Sequence, residues 1–333
     1  MSNKMIRLLM LLSVSAALAA GFFAAAAHAQ PYPNKPIRYI VPFPAGGPLD
    51  VFSRAFTPFL AESLGQSVIV ENIGGAAASI GLDRVAKSTP DGYTIGLGNT
   101  GGLTINPSLY GSKLPYDPLK DFTPIALTVT YVNILVVNTE LPVRSVSDLV
   151  GYAKNNPGKV RFGSAGNGSS NHLSGEILKS ITGTQMDHIP YKGSAQALID
   201  VIGGQLTFMF DSLNTSLPQI RAGKVRALAV TSATRSSYAP EVPTMEEAGV
   251  PGYAEAGADL WFGIVAPKGL PVPIRDKLNE HIVRVMGTPA MNERVKAQFL
   301  ERRTSTPDEF RQVIEADIGK WSKIVKASGA RLD

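Results

Sequence analysis

Strand-like and helix-like segments alternate along most of this chain, and at two widely separated places the link between them is a run of glycines and other small residues. Such alternation calls for α/β architecture with mostly parallel sheets, because a strand that returns in parallel needs a crossover, usually a helix. The first link follows Ile37-Arg38-Tyr39-Ile40-Val41, runs from Pro42 to Pro48 and opens a helical run at Leu49. The second follows Lys159-Val160-Arg161-Phe162, runs from Gly163 to Ser170 and opens another at Asn171. Backbone without bulky side chains at a helix N-terminus presents unpaired N–H groups, and the helix dipole adds partial positive charge there. Two such links imply two lobes that grip one small anion.

The remaining segments fit this frame. Ser67 to Val70 and Tyr93 to Leu97 read as strands, with a helix over Ala76 to Lys87 between them. Thr123 to Val137 is a β-rich apolar run longer than one ordinary strand, and Lys224 to Thr231 and Asp259 to Ala266 are further buried-looking runs. Ser145, Thr244 and Thr306 each open a capping-box pattern. Asp308 to Ser328 reads as a surface helix, with Trp321 as a packing residue. The runs at 123–137 and 259–266 are the candidates for crossings between lobes. They divide the chain into a discontinuous lobe of residues 30–130 and 256–333 and a continuous one of residues 131–255.

Residues 1–29 read as an address, not as fold. Lys4 and Arg7 precede an apolar stretch from Leu8 to Ala27, and Ala27-His28-Ala29 fits a cleavage site after Ala29. The rival is a retained anchor, since about twenty apolar residues can span a bilayer. Removing Lys4 and Arg7 takes the formal charge from +5 to +3. The chain has no cysteine, which excludes disulfides, thiol catalysis and lipid attachment at a cysteine. Basic residues are scattered and do not form the stripe that nucleic acid requires. These features describe a soluble periplasmic protein that folds around an ordinary core.

The two links differ in chemistry. In the first, Gly46-Gly47 allows close approach of a ligand, Pro48 suits the first helical turn, and Asp50 complements the dipole. A tight strand-to-helix turn with no ligand reads equally well there. The second, Gly163 to His172, is dense in hydroxyls, amides and free N–H groups that can hold a carboxylate without a full positive charge. Phosphate competes as the anion, but neither the Walker spacing nor G-x-G-x-x-G is present. Gly163-Ser164-Ala165-Gly166 lacks the G-x-S-x-G spacing of a nucleophile elbow, and no histidines are spaced as zinc ligands. His172 by itself reads as a helix-start or packing residue. Neither enzyme chemistry nor a cofactor or metal is expected.

A set of ordered motifs then carries a family resemblance. Val41-Pro42-Phe43-Pro44-Ala45-Gly46-Gly47 with Asp50, Asn72-Ile73-Gly74-Gly75-Ala76, Asp91-Gly92-Tyr93-Thr94 and Asn106-Pro107-Ser108-Leu109-Tyr110 come first. Leu114-Pro115-Tyr116-Asp117-Pro118, Gly163-Ser164-Ala165-Gly166 and His172-Leu173-Ser174-Gly175-Glu176 follow. Ile189-Pro190-Tyr191-Lys192-Gly193, Gly203-Gly204-Gln205 with Phe210-Asp211, Gly223 to Thr231 and Val242-Pro243-Thr244 complete the series. Nearly the whole mature chain thus resembles the solute receptors of the tripartite tricarboxylate transporter family, the Bug or TctC type.

The resemblance implies a two-lobed periplasmic binding protein of type II-like fold, each lobe a mostly parallel sheet flanked by helices. It implies a monomer that closes on a small carboxylate and delivers it to membrane permease subunits. The carboxylate could be a dicarboxylate, tricarboxylate, acidic amino acid or aromatic acid. A sensor that reports occupancy to a membrane histidine kinase is the alternative. Carried onto this chain, the ligand-binding residues are Phe43, Ala45, Gly46, Gly47 and Asp50 from the first lobe, with Asn99 and Thr100 at a strand end. From the second lobe come Ser164, Gly166, Gly168, Ser169 and His172, with Tyr191, Lys192 and Asp211 at the inner rim. Two departures stand out: Pro48-Leu49 replaces a frequent Thr-Asp, and Ala77-Ala78 lies where a third glycine is common.

Overall fold

Val41, Ile40, Tyr39 and Ile37 are fully buried, as a strand covered on both faces by helices requires. The computed structural model describes residues 32–254 and 260–331, so the leader assigned to residues 1–29 lies outside the described residues. In chain order the elements are β1 (Ile37–Val41), α1 (Pro48–Leu64), β2 (Val68–Asn72), α2 (Ser79–Ala86), β3 (Thr94–Asn99), a π-turn with the short α3 (Asn106–Tyr110), β4 (Phe122–Tyr131) and β5 (Asn133–Asn138). Then follow α4 (Val146–Asn155), β6 (Arg161–Ser164), α5 (Ser170–Thr182), β7 (Asp187–Pro190), α6 (Ser194–Ile202), β8 (Phe208–Ser212), α7 (Leu213–Arg221) and β9 (Val225–Val230). The chain closes with β10 (Leu260–Pro267), α8 (Val272–Gly287), α9 (Pro289–Ala297), β11 (Glu301–Arg302) and α10 (Pro307–Ser328).

The strands form two sheets, ordered β11-β4-β10-β3-β1-β2 and β7-β6-β8-β5-β9. Both are mixed. Around each glycine-rich link the pairing is parallel, β1 with β2 and β3, and β6 with β7 and β8. The expectation of mostly parallel sheets describes that half of each lobe. The other half is antiparallel, because β10 and β4 in one sheet and β5 and β9 in the other run against their neighbours. The apolar run at 123–137 is two strands: β4 ends at Tyr131, β5 starts at Asn133, and they belong to different sheets.

Period-two alternation builds the second lobe's core. Leu135 and Val137 of β5 point into one cluster with Phe208 and Phe210, while Ile134 and Val136 point into the other with Met209, Leu213 and Val201. Helices therefore cover both faces of this sheet. In the first lobe Phe52 stacks on Phe56 and leans on Phe262, and Trp261 meets Phe310 of α10 edge to face at 5.2 Å. The long α10 starts at a complete capping box on Thr306 and Glu309, and Trp321 is buried, a packing residue as read. Ser145 accepts the Asp148 amide and opens α4. The Thr244–Glu247 box also forms, but around a turn and not a helix.

The helix expected from Ala76 starts three residues later, at Ser79. Ala76, Ala77 and Ala78 all take positive φ, at 45°, 46° and 81°. Side chains rarely adopt this left-handed region. The strained turn is pinned by neighbours: Ala77 O accepts from Asn106 Nδ2, and the Ser79 amide donates to Ala76 O.

Candidate ligand-binding site

The first link is shaped by one acid. Burial opposes charge on Asp50, but hydrogen bonds from Arg54, the Gly46 amide and Asn72, together with the Arg54 charge, hold its carboxyl below the usual range. Asp50 Oδ2 accepts from Gly46 N at 2.9 Å, and Asn72 Nδ2 donates both to Asp50 Oδ1 and to Phe43 O. The acid thus ties the loop to its own helix. Gly46 sits at φ +83°, which suits glycine, and α1 opens directly after this loop at Pro48.

The second link is held by histidines. The Ser164 hydroxyl accepts from Gly166 N at 3.0 Å and lies 2.6 Å from His188 Nε2. His172 Nδ1 accepts from Gly168 N at 3.2 Å, and the two imidazoles pack with centroids 4.1 Å apart. Burial, with the Lys179 charge in a smaller part, pushes the His188 pKa down to about 4. His188 is therefore neutral near pH 7. The Ser169 hydroxyl caps α5 by accepting from His172 N. Gly168, at φ +95°, is required by close approach as well, since a Cβ there would sit 2.2 Å from Asn106 Oδ1 of the first lobe.

Between the links lies a cavity of about 70 Å³, several times the roughly 10–15 Å³ that one water needs by the same measure. The first lobe lines it with Phe43 to Ala45, Gly47 to Leu49, and Asn99. Tyr131 and Asn133, at the passage between the sheets, form its floor with Ser212. The second lobe adds Ala165, Ser169 to Asn171, and Gly193 to Gln196. Among these described residues there is no charged side chain. The lobes touch around the cavity: Tyr110 Oη donates to Asn167 O at 2.9 Å, Asn214 Nδ2 to Pro48 O at 3.4 Å, and Gly193 packs on the Pro44 ring.

Of the residues expected at the site, Phe43, Ala45, Gly47, Asn99 and Ser169 line the cavity. Gly46, Asp50, Ser164, Gly166, Gly168 and His172 are in the framework that shapes the two loops. The structure places four others elsewhere. Thr100 is buried with its hydroxyl accepting from Trp261 N, and Tyr191 turns its hydroxyl to Asp200. Lys192 is exposed and off the cavity wall, where an ammonium keeps its hydration. Asp211 is fully buried and does not line the cavity, so it is not at a rim. Burial raises its pKa against the Thr215 and Ser216 hydroxyls, which donate to Oδ2. The Ser194 hydroxyl lies near enough for a weak opposing pull but forms no hydrogen bond of ordinary geometry.

Sequence reasoning missed Tyr131, Asn133, Ser194, Gln196 and Ser212. A signal existed: Gly193-Ser194 and Ser212-Leu213 are also strand-to-helix junctions with small residues, only shorter than the two glycine-rich ones.

This is the geometry of a two-lobed solute-binding protein with its pocket between the lobes. The family model described as "Tripartite tricarboxylate transporter family receptor" matches residues 52–330, and the chain belongs to that family. Protein BugT of Bordetella pertussis is 38% identical over 98% of this chain and 99% of its own length. A solved R. palustris protein with adipate superposes with a TM-score of 0.86 at 35% identity, covering 91% of this chain and all of that one. MatC from Rhodopseudomonas palustris with bound malate superposes with a TM-score of 0.83 at 31% identity, covering 88% of this chain and all of MatC.

Proposed function

We propose that this protein is a periplasmic receptor that captures a small carboxylate between its lobes and hands it to the permease subunits of a tripartite tricarboxylate-type transporter. The observation that carries the reading is the pair of helix N-termini, those of α1 and α5, opening on one cavity whose described walls bear no charge. Amides and hydroxyls aimed at such a point favour an anion. They also avoid burying a salt bridge, whose desolvation opposes both binding and rapid release. The family membership and the adipate and malate of two relatives agree with this choice.

In this reading residues 1–29 export the chain and are cut off after Ala29. The lobes, residues 30–130 with 256–333 and residues 131–255, then move as units of a monomer. Phe43, Ala45, Gly47, Asn99 and Ser169 touch the ligand, while Gly46, Asp50, Ser164, Gly166, Gly168 and His172 fix the loops that hold it. The protein performs no chemistry on what it binds. Among the described residues no helix is long and apolar enough to cross a membrane, and no cluster of His, Asp or Glu could hold a metal.

The test is a thermal-shift and calorimetry panel of mono-, di- and tricarboxylates against their neutral amides. An acid at 100 times its Kd should stabilise the protein by about 2.7 kcal/mol, while amides leave it unmoved. Amides that bind as well as acids would remove the carboxylate reading. Uptake of the bound acid by cells carrying the cognate permease, lost on deleting this receptor, tests delivery.

A further inference from the structure

Glycine ends α1, α5 and α10 in the left-handed region, and phenylalanine ends α9. Gly65, Gly183 and Gly329 sit at φ +67°, +63° and +70°. After α9 the same position is held by Phe299, at φ +57°. The bonds there are those of a Schellman ending: Phe299 N donates to Lys296 O at 2.9 Å, and Leu300 N to Val295 O at 3.2 Å. A glycine would make both bonds without strain, whereas a side chain in this region crowds its own backbone. The sequence gives up backbone ease to place an aromatic ring at this corner.

The ring spans the two lobes. Its backbone lies between α9 and β11, and β11 pairs with β4 of the first sheet. One residue earlier, Gln298 Nε2 donates to Val51 O near the start of α1, at 3.5 Å. The ring itself packs against the second lobe's core, the cluster of Ile134, Val136 and Leu217. It meets the Tyr238 ring edge to face at 5.7 Å, and the Arg221 guanidinium carbon lies 4.9 Å from its centroid. Both contacts attract, through the ring quadrupole. Tyr238 Oη also donates to Leu300 O at 3.0 Å. Alongside lies a cavity of about 290 Å³, lined by Phe299, Tyr238 and Glu301 with Thr130 to Val132 of the passage between the sheets. The lobes meet here across a gap that the corner bridges, not through continuous packed core.

We propose that Phe299 is a positioning residue for ligand capture: its ring, gripped by Tyr238 and Arg221, holds the two lobes in the approach seen here before any ligand arrives. This rests on the reading above that the lobes move as units, and adds a contact that presets the movement. Phe299, Tyr238 and Arg221 all lie off the wall of the ligand cavity. A contact made only when the lobes are together raises the competent fraction, and with it the apparent affinity for every ligand. The strain falls on the first lobe alone, and the attraction falls between the lobes. Losing the ring can therefore leave each lobe as stable as before.

The experiment exploits the absence of cysteine from the chain. Glu62→Cys on α1 and Lys154→Cys on α4, both exposed, carry one spin label on each lobe. Pulsed electron resonance reads the distance between the labels without ligand, and calorimetry with adipate and with malate reads affinity. In Phe299→Gly, which keeps the turn and removes the ring, the ratio of short to long distances should fall at least threefold. Affinity for whichever of the two acids binds the parent should fall at least threefold as well. The melting temperature should hold or rise, because glycine relieves the turn. Phe299→Trp keeps an aromatic face and should restore distances and affinity. Tyr238→Phe, which removes only the bond to Leu300 O, should shift the distances in the same direction by less. Distances unchanged in both Phe299→Gly and Tyr238→Phe would overturn the proposal. So would a lower melting temperature with unchanged affinity, the mark of an ordinary packing residue. Distances that respond while neither acid binds the parent would leave the proposal standing and count against the carboxylate reading.

Discussion

At the scale of single residues, Gly46 and Gly47 look interchangeable in the sequence and are not. Gly46 sits at φ +83° with open space where a Cβ would go, so its need for glycine is conformational. Gly47 has an ordinary φ of −81°, and a Cβ there would lie 3.7 Å from its nearest neighbour, Pro44 O. Gly46→Ala should therefore cost about 1–2 kcal/mol of stability, the usual penalty for a left-handed alanine. Gly47→Ala should stay within about 0.5 kcal/mol of the parent. Urea melts of the two variants check this, and equal losses would refute the distinction. His188 supplies a second residue-scale prediction. Its pKa is held down to about 4 by burial and by Lys179, so the unfolded chain takes up the proton first as pH falls. The stability this neutral ring contributes is whole above about pH 6.5 and drains away between there and about pH 4, by roughly 3 kcal/mol at most. His188→Gln should flatten that part of the stability–pH curve, and parallel curves for parent and variant would show that the ring does not titrate there.

At the scale of elements, one of the contacts that seat the C-terminal helix is not revealed by that helix's own sequence. A Cβ on Gly263 of β10 would lie 2.3 Å from the Phe310 ring of α10 and 3.0 Å from Ala126 O. Gly263→Ala should push α10 off the sheet and destabilise the fold by about 1–3 kcal/mol, as overpacked cores do. Phe310→Leu in the same chain should recover part of the loss, so that the double variant is more stable than the sum of the singles predicts. Additivity in denaturant melts would mean that the two do not press on each other. The same contrast explains what was legible in the sequence. Strands β1 to β3, β6, β9 and β10, the capping boxes and the two glycine-rich links are local patterns of periodicity and turn chemistry and could be read directly, whereas the short strands β7, β8 and β11 drew no expectation from the sequence. The Gly193-Ser194 and Ser212-Leu213 junctions are just as local, yet each has at most one glycine, and nothing near them says that they face the other two. That convergence comes from the strand order β7-β6-β8-β5, which sets the ends of β7 and β8 on either side of β6. The bend at Val132, which sends β4 and β5 into different sheets, is hidden because apolar residues continue through it.

At the scale of the whole molecule, the proposed function makes closing the lobes and holding the ligand one equilibrium. A ligand shifts it only through contacts it makes in the closed form, and any direct bond between lobes raises the fraction already competent to bind. The Tyr110 hydroxyl makes such a bond to the Asn167 carbonyl, inside the very loop that opens α5. Tyr110 is only part-buried, and its ring adds little to the core. Tyr110→Phe removes the hydroxyl and keeps the ring, so each lobe should keep its own stability, and the melting temperature without ligand should not move. Losing one neutral hydrogen bond of about 0.5–1.5 kcal/mol from the closed form should weaken binding by roughly two- to tenfold. The loss should fall equally on every acid, because the bond lies outside the cavity and touches none of them. That uniformity separates closure from recognition: Ser169→Ala, at a residue that lines the cavity, should change the affinities of different acids unequally, whereas Tyr110→Phe should lower them all by the same factor. Calorimetry with two acids of different length on these two variants reads both effects, and a Tyr110→Phe protein with altered selectivity would show that closure and recognition share the same residues.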